Sequence, residues 1–207
     1  MDQNPLKQYF RRPSMYLKLP SMGKFYDTTV VNMPLNNELP VYPMTSVDEI
    51  IIRTPDALFN GAAMVDLIKS CIPNIIDPWK LSSVDVDAVI IAIRAASTDG
   101  NMDIESTCPS CEEISTYGVN LLVVLAEQRD VNFNETLKLR DLEIKFRPLL
   151  YSEMNKNNLA QFEVQRLMAS LSKFEDTEAQ RKQMIEAMAR MDTLVNEIVS
   201  STIEFIK

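Results

Sequence analysis

The segment "SSVDVDAVIIAIRAAS", residues 82–97, sets the strongest limit on the fold. Val86, Val89, Ile90 and Ile93 recur at helical spacing and make its face broadly apolar. Such a helix has to be covered by neighbours, so the rest of the chain must pack around it. Ser82 or Ser83 stands where an N-cap belongs, Asp85 and Asp87 fall in the first turn that favours acids, and Trp79 is placed to pack at the entrance.

The segments before this helix read as its cover. Between Lys18 and Met44 the prolines Pro20, Pro34, Pro40 and Pro43 punctuate "KFYDTTVVNMP" and "ELPVYPM", which predicts short strands and turns. "TSVDEIIIR" offers Ser46 as N-cap with Glu49 three residues on, a capping-box pattern. "RTPDALFNGAAMVDLIKSCIPNI" repeats the signal with Thr54 and Pro55, carries the stripe Leu58, Ala62, Val65 and Ile68, and is ended by Pro73.

After the central helix, "NMDIEST" and "EISTYGVNLLVVL" flank Cys108 and Cys111, which predicts a hairpin with the cysteines at its turn. "LKLRDLEIKFRPL" predicts a second hairpin, with Leu139, Leu142, Ile144 and Phe146 alternating around a tight "RD" turn. From Ser152 onward the pattern is helical to the end. The whole reads as α+β: an N-terminal arm and small β region (1–44), a helical core with two hairpins (45–150) and a C-terminal helical pair (151–207).

Within the last segment Met184, Met188, Met191, Val195, Ile198, Thr202 and Phe205 keep a 4-3-4-3-4-3 spacing, with Ile185, Leu194, Val199 and Ile206 beside them. That is a heptad seam. It serves either a fold-back onto residues 153–172, whose Ala160, Val164, Leu167 and Leu171 form a complementary stripe, or a partner helix or second copy. Methionine at three seam positions suits an adaptable binding surface.

The first 18 residues interleave Lys7, Arg11, Arg12 and Lys18 with Tyr9, Phe10 and Tyr16, against a net charge of −8 for the chain. Nonspecific nucleic-acid affinity comes from neutralising phosphates, so the acidic whole favours protein docking through Tyr9, Phe10, Arg11, Arg12 and Tyr16 over a nucleic-acid adaptor. There is no histidine, which removes Ser-His-Asp and Cys-His catalysis and the commonest metal-binding imidazole. No Gly-rich phosphate loop occurs, and Asp85/Asp87 and Glu112/Glu113 read as caps or solvated faces. No enzymatic chemistry is expected. No apolar run reaches the roughly 18 residues of a membrane span, and the N-terminus lacks the features of a secretory signal, so a reducing cytosol is the expectation.

The pair in "TCPSC" admits three readings. A redox dithiol needs a helix N-terminus to lower the thiol pKa, whereas here strand-like sequence follows and Glu105, Glu112 and Glu113 flank it. Zinc suits two thiolates on a tight turn, but the site then needs Cys71 with a carboxylate such as Glu112, or ligands from another chain. Otherwise Cys108 and Cys111 are reduced turn residues and Cys71 an ordinary buried helix cysteine.

Taken together, "NPLKQYFRRPSMYLKLPSMGKFY", "MPLNNELPVYPMTSVDEI", "TPDALFNGAAMVDLIKSCIPNIIDPW", "VDVDAVIIAIRAAS" and "TCPSC" resemble the baseplate hub assembly proteins of T-even-type contractile-tailed bacteriophages. The resemblance covers essentially the whole chain. It implies a late viral protein of the host cytoplasm that helps form the tail baseplate hub, as virion component or assembly chaperone, with other hub proteins and the tape-measure protein as neighbours. The family's Cys-Pro-x-Cys turn is often followed by glycine, and here by Glu112.

Overall fold

The computed structural model describes residues 11–54, 61–171 and 178–207. In chain order its elements are β1 (Met15–Leu17), β2 (Leu39–Val41), α1 (Ser46–Ile52), α2 (Ala62–Cys71), a 3-10 turn (Pro78–Lys80), α3 (Ser83–Ser97), β3 (Asn101–Thr107), β4 (Ile114–Asn120), α4 (Leu121–Ala126), β5 (Thr136–Leu139), β6 (Leu142–Phe146), α5 (Tyr151–Leu171), α6 (Glu178–Thr202) and β7 (Ile203–Ile206). Helices mixed with small antiparallel sheets make the fold α+β, as the sequence predicts.

Helix α3 is the centre. Val86, Val89, Ala92 and Ile93 are buried against Leu17 and Leu19, Leu39 and Val41 of β2, and Leu67, Ile68 and Ile72 at α2. Each large aliphatic removed from water contributes about 1.5–3 kcal/mol, and the alanines let neighbouring elements approach closely. The N-terminal strands therefore share one core with the central helices. Ser82 is the cap, its hydroxyl accepting from the Asp85 amide at 3.3 Å.

Asp85 departs from the expected solvated cap. It is 0% exposed, and its carboxylate accepts from the Ser21 amide at 2.9 Å, the Ser82 hydroxyl at 2.9 Å and the Tyr26 hydroxyl. Tyr26 in turn accepts from the Ser82 amide at 2.8 Å. The carboxylate thus pins the loop after β1 to the start of α3. Asp87, two residues on, lies on the exposed face.

The capping box of α1 sits one residue earlier than expected. Thr45 is the N-cap and Asp48 its partner. The shorter Asp48 side chain reaches back to the Thr45 amide at 2.7 Å while staying buried, and Glu49 faces solvent. The expected cap at Thr54 with Pro55 and Leu58 runs into residues 55–60, outside the described residues. The described helix α2 buries Val65 and Ile68 as its stripe requires. Gly61 precedes it with φ 78°, and a Cβ there would fall 2.7 Å from Asn155 Oδ1 and 2.9 Å from Trp79. Trp79 stacks on Tyr151 with ring centroids 5.2 Å apart, and backbone bonds Ser83 N to Leu149 O (2.8 Å) and Tyr151 N to Leu81 O (2.7 Å) dock the start of α5 on the start of α3.

Both predicted hairpins form. β3 pairs with β4 from Asn101↔Asn120 to Thr107↔Ile114, and β5 pairs with β6 around Arg140, whose φ is 54°. The C-terminus is a correction: helix ends at Thr202, and β7 adds to the free edge of β6 as a third strand. Ile203, Phe205 and Ile206 favour extended backbone, Lys145 Nζ meets Glu204 at 2.9 Å, and Glu143 and Lys207 exchange backbone bonds of 2.9 Å each.

Candidate functional site

The C-terminal pair resolves the seam into two halves. On α6, which packs against α5, the less exposed apolar residues are Met184, Ala187, Met191, Leu194 and Ile198, again at heptad spacing but rotated from the predicted seam. Val164 of α5 is buried opposite them. Met188 and Val195, the other half of the predicted seam, face outward together with Ile185 and Val199, at 54%, 48%, 67% and 53% exposure. Phe205 leaves the seam altogether, since it lies in β7 opposite Lys145. An open groove of about 410 Å³ remains between the two helices, lined in part by Ala160, Val164, Ala189 and Leu194. Fold-back and outward display thus coexist on one helix. Ile185 and Val199 were visible in the sequence only as flanks, because spacing gives a periodicity and not which side of it the neighbour takes.

Of the arm residues, Tyr9 and Phe10 lie outside the described residues. Arg12 and Tyr16 are exposed, Tyr16 on the outer face of β1 opposite Pro40. Arg11 is turned inward. Its Nη1 donates to the Ser70 carbonyl at 3.0 Å and the Ser70 hydroxyl at 3.2 Å. Nη2 donates to the Pro43 carbonyl and to Cys71 Sγ at 3.3 Å, and lies 3.6 Å from Asp48 Oδ2. The guanidinium also stands over the Tyr42 ring, 5.8 Å from its centroid. Burial pushes the Asp48 carboxyl up, but hydrogen bonds from Thr45 and Ser70 and the charge of Arg11 outweigh it, so its pKa falls below the ordinary value. Arg11 is a cross-link between the arm, α1 and the end of α2.

The cysteine pair occupies the β3–β4 turn. Cys108 N donates to Glu113 O at 2.9 Å and Glu112 N to Cys108 O at 2.9 Å. Glu112 adopts φ 57°, the left-handed conformation that glycine takes without cost. The amides of Ser110 and Cys111 and the Cys111 thiol are directed at the Cys108 sulfur and lower its pKa. The flanking Glu105, Glu112 and Glu113 are exposed, where water screens them. Cys71 is fully buried in the core, and burial raises its pKa. The structure does not gather the three cysteines: among the described residues no group of three or more His, Cys, Asp or Glu is placed to hold a metal ion.

A surface that the sequence reading did not single out lies on the same hairpin. The register puts Met102, Ile104, Tyr117 and Val119 on one face of the β3–β4 ribbon, and Ile104 and Tyr117 are 42% and 58% exposed. The signal was present as period-two alternation on both strands. Among the described residues no helix is long and apolar enough to cross a membrane.

A family model described as T4 bacteriophage base plate protein matches residues 15–206. No curated protein and no solved structure matches the chain.

Proposed function

The chain belongs to the T4 bacteriophage base plate protein family, and from that premise we propose that it acts at the baseplate hub. Membership gives a structural or assembly role in the phage tail baseplate, with other phage structural proteins as neighbours. In the finer reading it is made in the host cytoplasm and docks other hub proteins and the tape-measure protein, as a virion component or as an assembly chaperone, without catalysing a reaction.

The observation that carries this reading is the outward half of the α6 seam. Ile185, Met188, Val195 and Val199 leave an apolar stripe exposed on a helix whose opposite face is already packed. A helix of this kind supplies anchors at helical spacing to a groove on a partner, and exposed Arg12 and Tyr16 add residue types favoured at interfaces. Net charge of −8 disfavours a phosphate backbone as the partner.

The test is co-purification of the tagged chain with co-expressed hub proteins, beside a variant lacking residues 1–10, which keeps Arg11. Capture by the intact chain, weakened in the shortened one, supports hub docking with a contribution from the arm. Capture by neither form refutes it.

A further inference from the structure

The tip of the β3–β4 ribbon has the geometry of half a metal site. Two cysteines separated by two residues stand on a turn closed by the Cys108–Glu113 and Glu112–Cys108 backbone bonds. Two successive amides, of Ser110 and Cys111, point at the Cys108 sulfur, and the two thiols are within hydrogen-bond reach of each other. Amides so directed can donate to a metal-bound sulfur, and two sulfurs on one tight turn can share one ion. Both cysteines open to solvent, Cys111 the more so.

A thiolate-bound ion of the zinc class takes four ligands in a tetrahedron. Among the described residues this chain does not complete the set. It has no histidine, its third cysteine is buried in the core with Arg11 donating to the sulfur, and among the described residues no third His, Cys, Asp or Glu joins the pair in a group that could hold a metal ion. An identical tip brought up across a two-fold axis supplies what is missing, because isologous contact joins the same patch of both copies. The ribbon itself supports such a contact. A two-stranded ribbon is marginal in water unless something covers it, and Ile104 and Tyr117 leave the apolar face below the tip uncovered.

We propose that Cys108 and Cys111 bind a thiophilic divalent ion such as Zn²⁺ shared between two copies of the chain, with four thiolates in its coordination sphere. The exposed carboxylates Glu105, Glu112 and Glu113 on each copy then repel one another until the ion is present, so pairing depends on metal. This inference is independent of hub docking.

The experiment uses the full chain, reduced and metal-free, titrated with Co²⁺ as the spectroscopic probe and with Zn²⁺, while light scattering records mass. The expected result is one ion per two chains, thiolate-to-cobalt charge transfer with tetrahedral band intensity, and a doubling of mass that a chelator reverses. Cys108→Ser and Cys111→Ser each abolish all three, whereas Cys71→Ala retains the stoichiometry. Binding of one ion per monomer, a dimer indifferent to metal, or the absence of charge transfer in the reduced protein overturns the proposal.

Discussion

Replacing Asp85 by asparagine keeps the size of the side chain and removes its charge at a fully buried carboxylate that accepts three hydrogen bonds. Oδ1 would still accept from the Ser21 amide, but Oδ2 receives both the Tyr26 and Ser82 hydroxyls, and an amide nitrogen offers them no lone pair. Hydrogen bonds to an ionised group are worth about 1.5–3 kcal/mol each. The hydroxyls can turn to accept from the new amide, but Tyr26 already accepts from the Ser82 amide, and its own proton is then left without an acceptor. The net loss is about 3 kcal/mol. For a chain of this size that lowers the melting temperature by about 6–12 °C. Urea unfolding followed by far-UV circular dichroism measures it, with an unchanged slope showing that the denatured state is not the cause. Asp87→Asn, on the exposed face, should stay within about 0.5 kcal/mol. A loss below about 1 kcal/mol at Asp85, or equal losses at the two sites, would refute the assignment of Asp85 as the internal pin.

Tyr26 predicts an alkaline weakness. Burial and the neighbouring Asp85 carboxylate push its pKa well above the ordinary 10.0, so the folded state holds the neutral phenol. Its contribution is intact below the unfolded value and is lost as pH rises from about 10 toward the folded one; Tyr26→Phe should flatten that decline while lowering stability at neutral pH. Arg11→Ala should cost about 2–3 kcal/mol in urea unfolding, because it strips partners from Ser70, Pro43 and Asp48, while Arg12→Ala should be near neutral. Glu112→Gly relieves a left-handed residue that costs a side chain about 1–2 kcal/mol, so amide exchange across β3 and β4 should slow; faster exchange would contradict the turn geometry.

What was legible in the sequence follows from what each signal encodes. Periodicity located α3, α6 and the second hairpin, since burial of one face repeats with the element's own period. It could not tell which half of the α6 seam meets α5, because that depends on where α5 lies. Nor could it end α6 at Thr202: Ile203, Phe205 and Ile206 continue the helical spacing, and only the free edge of β6 draws them into a strand. Arg11 read as an exposed anchor because charge is usually solvated, and its acceptors at Pro43, Asp48 and Ser70 are distant in sequence. Asp85 read as a cap for the same reason; its Tyr26 and Ser21 partners lie about sixty residues earlier. The Cys108–Cys111 turn was the most local feature, and its hairpin followed directly from its flanks.

The division of the α6 seam into an inward and an outward half is the claim on which hub docking rests, and paired substitutions test it. Met188→Glu with Val195→Glu changes only outward positions, so circular dichroism and melting should match the parent while co-purification with co-expressed hub proteins is lost. Leu194→Ala, on the shielded side, should lower the melting temperature and retain capture below it. Undiminished capture by the folded double variant, or its failure to fold, would contradict the account.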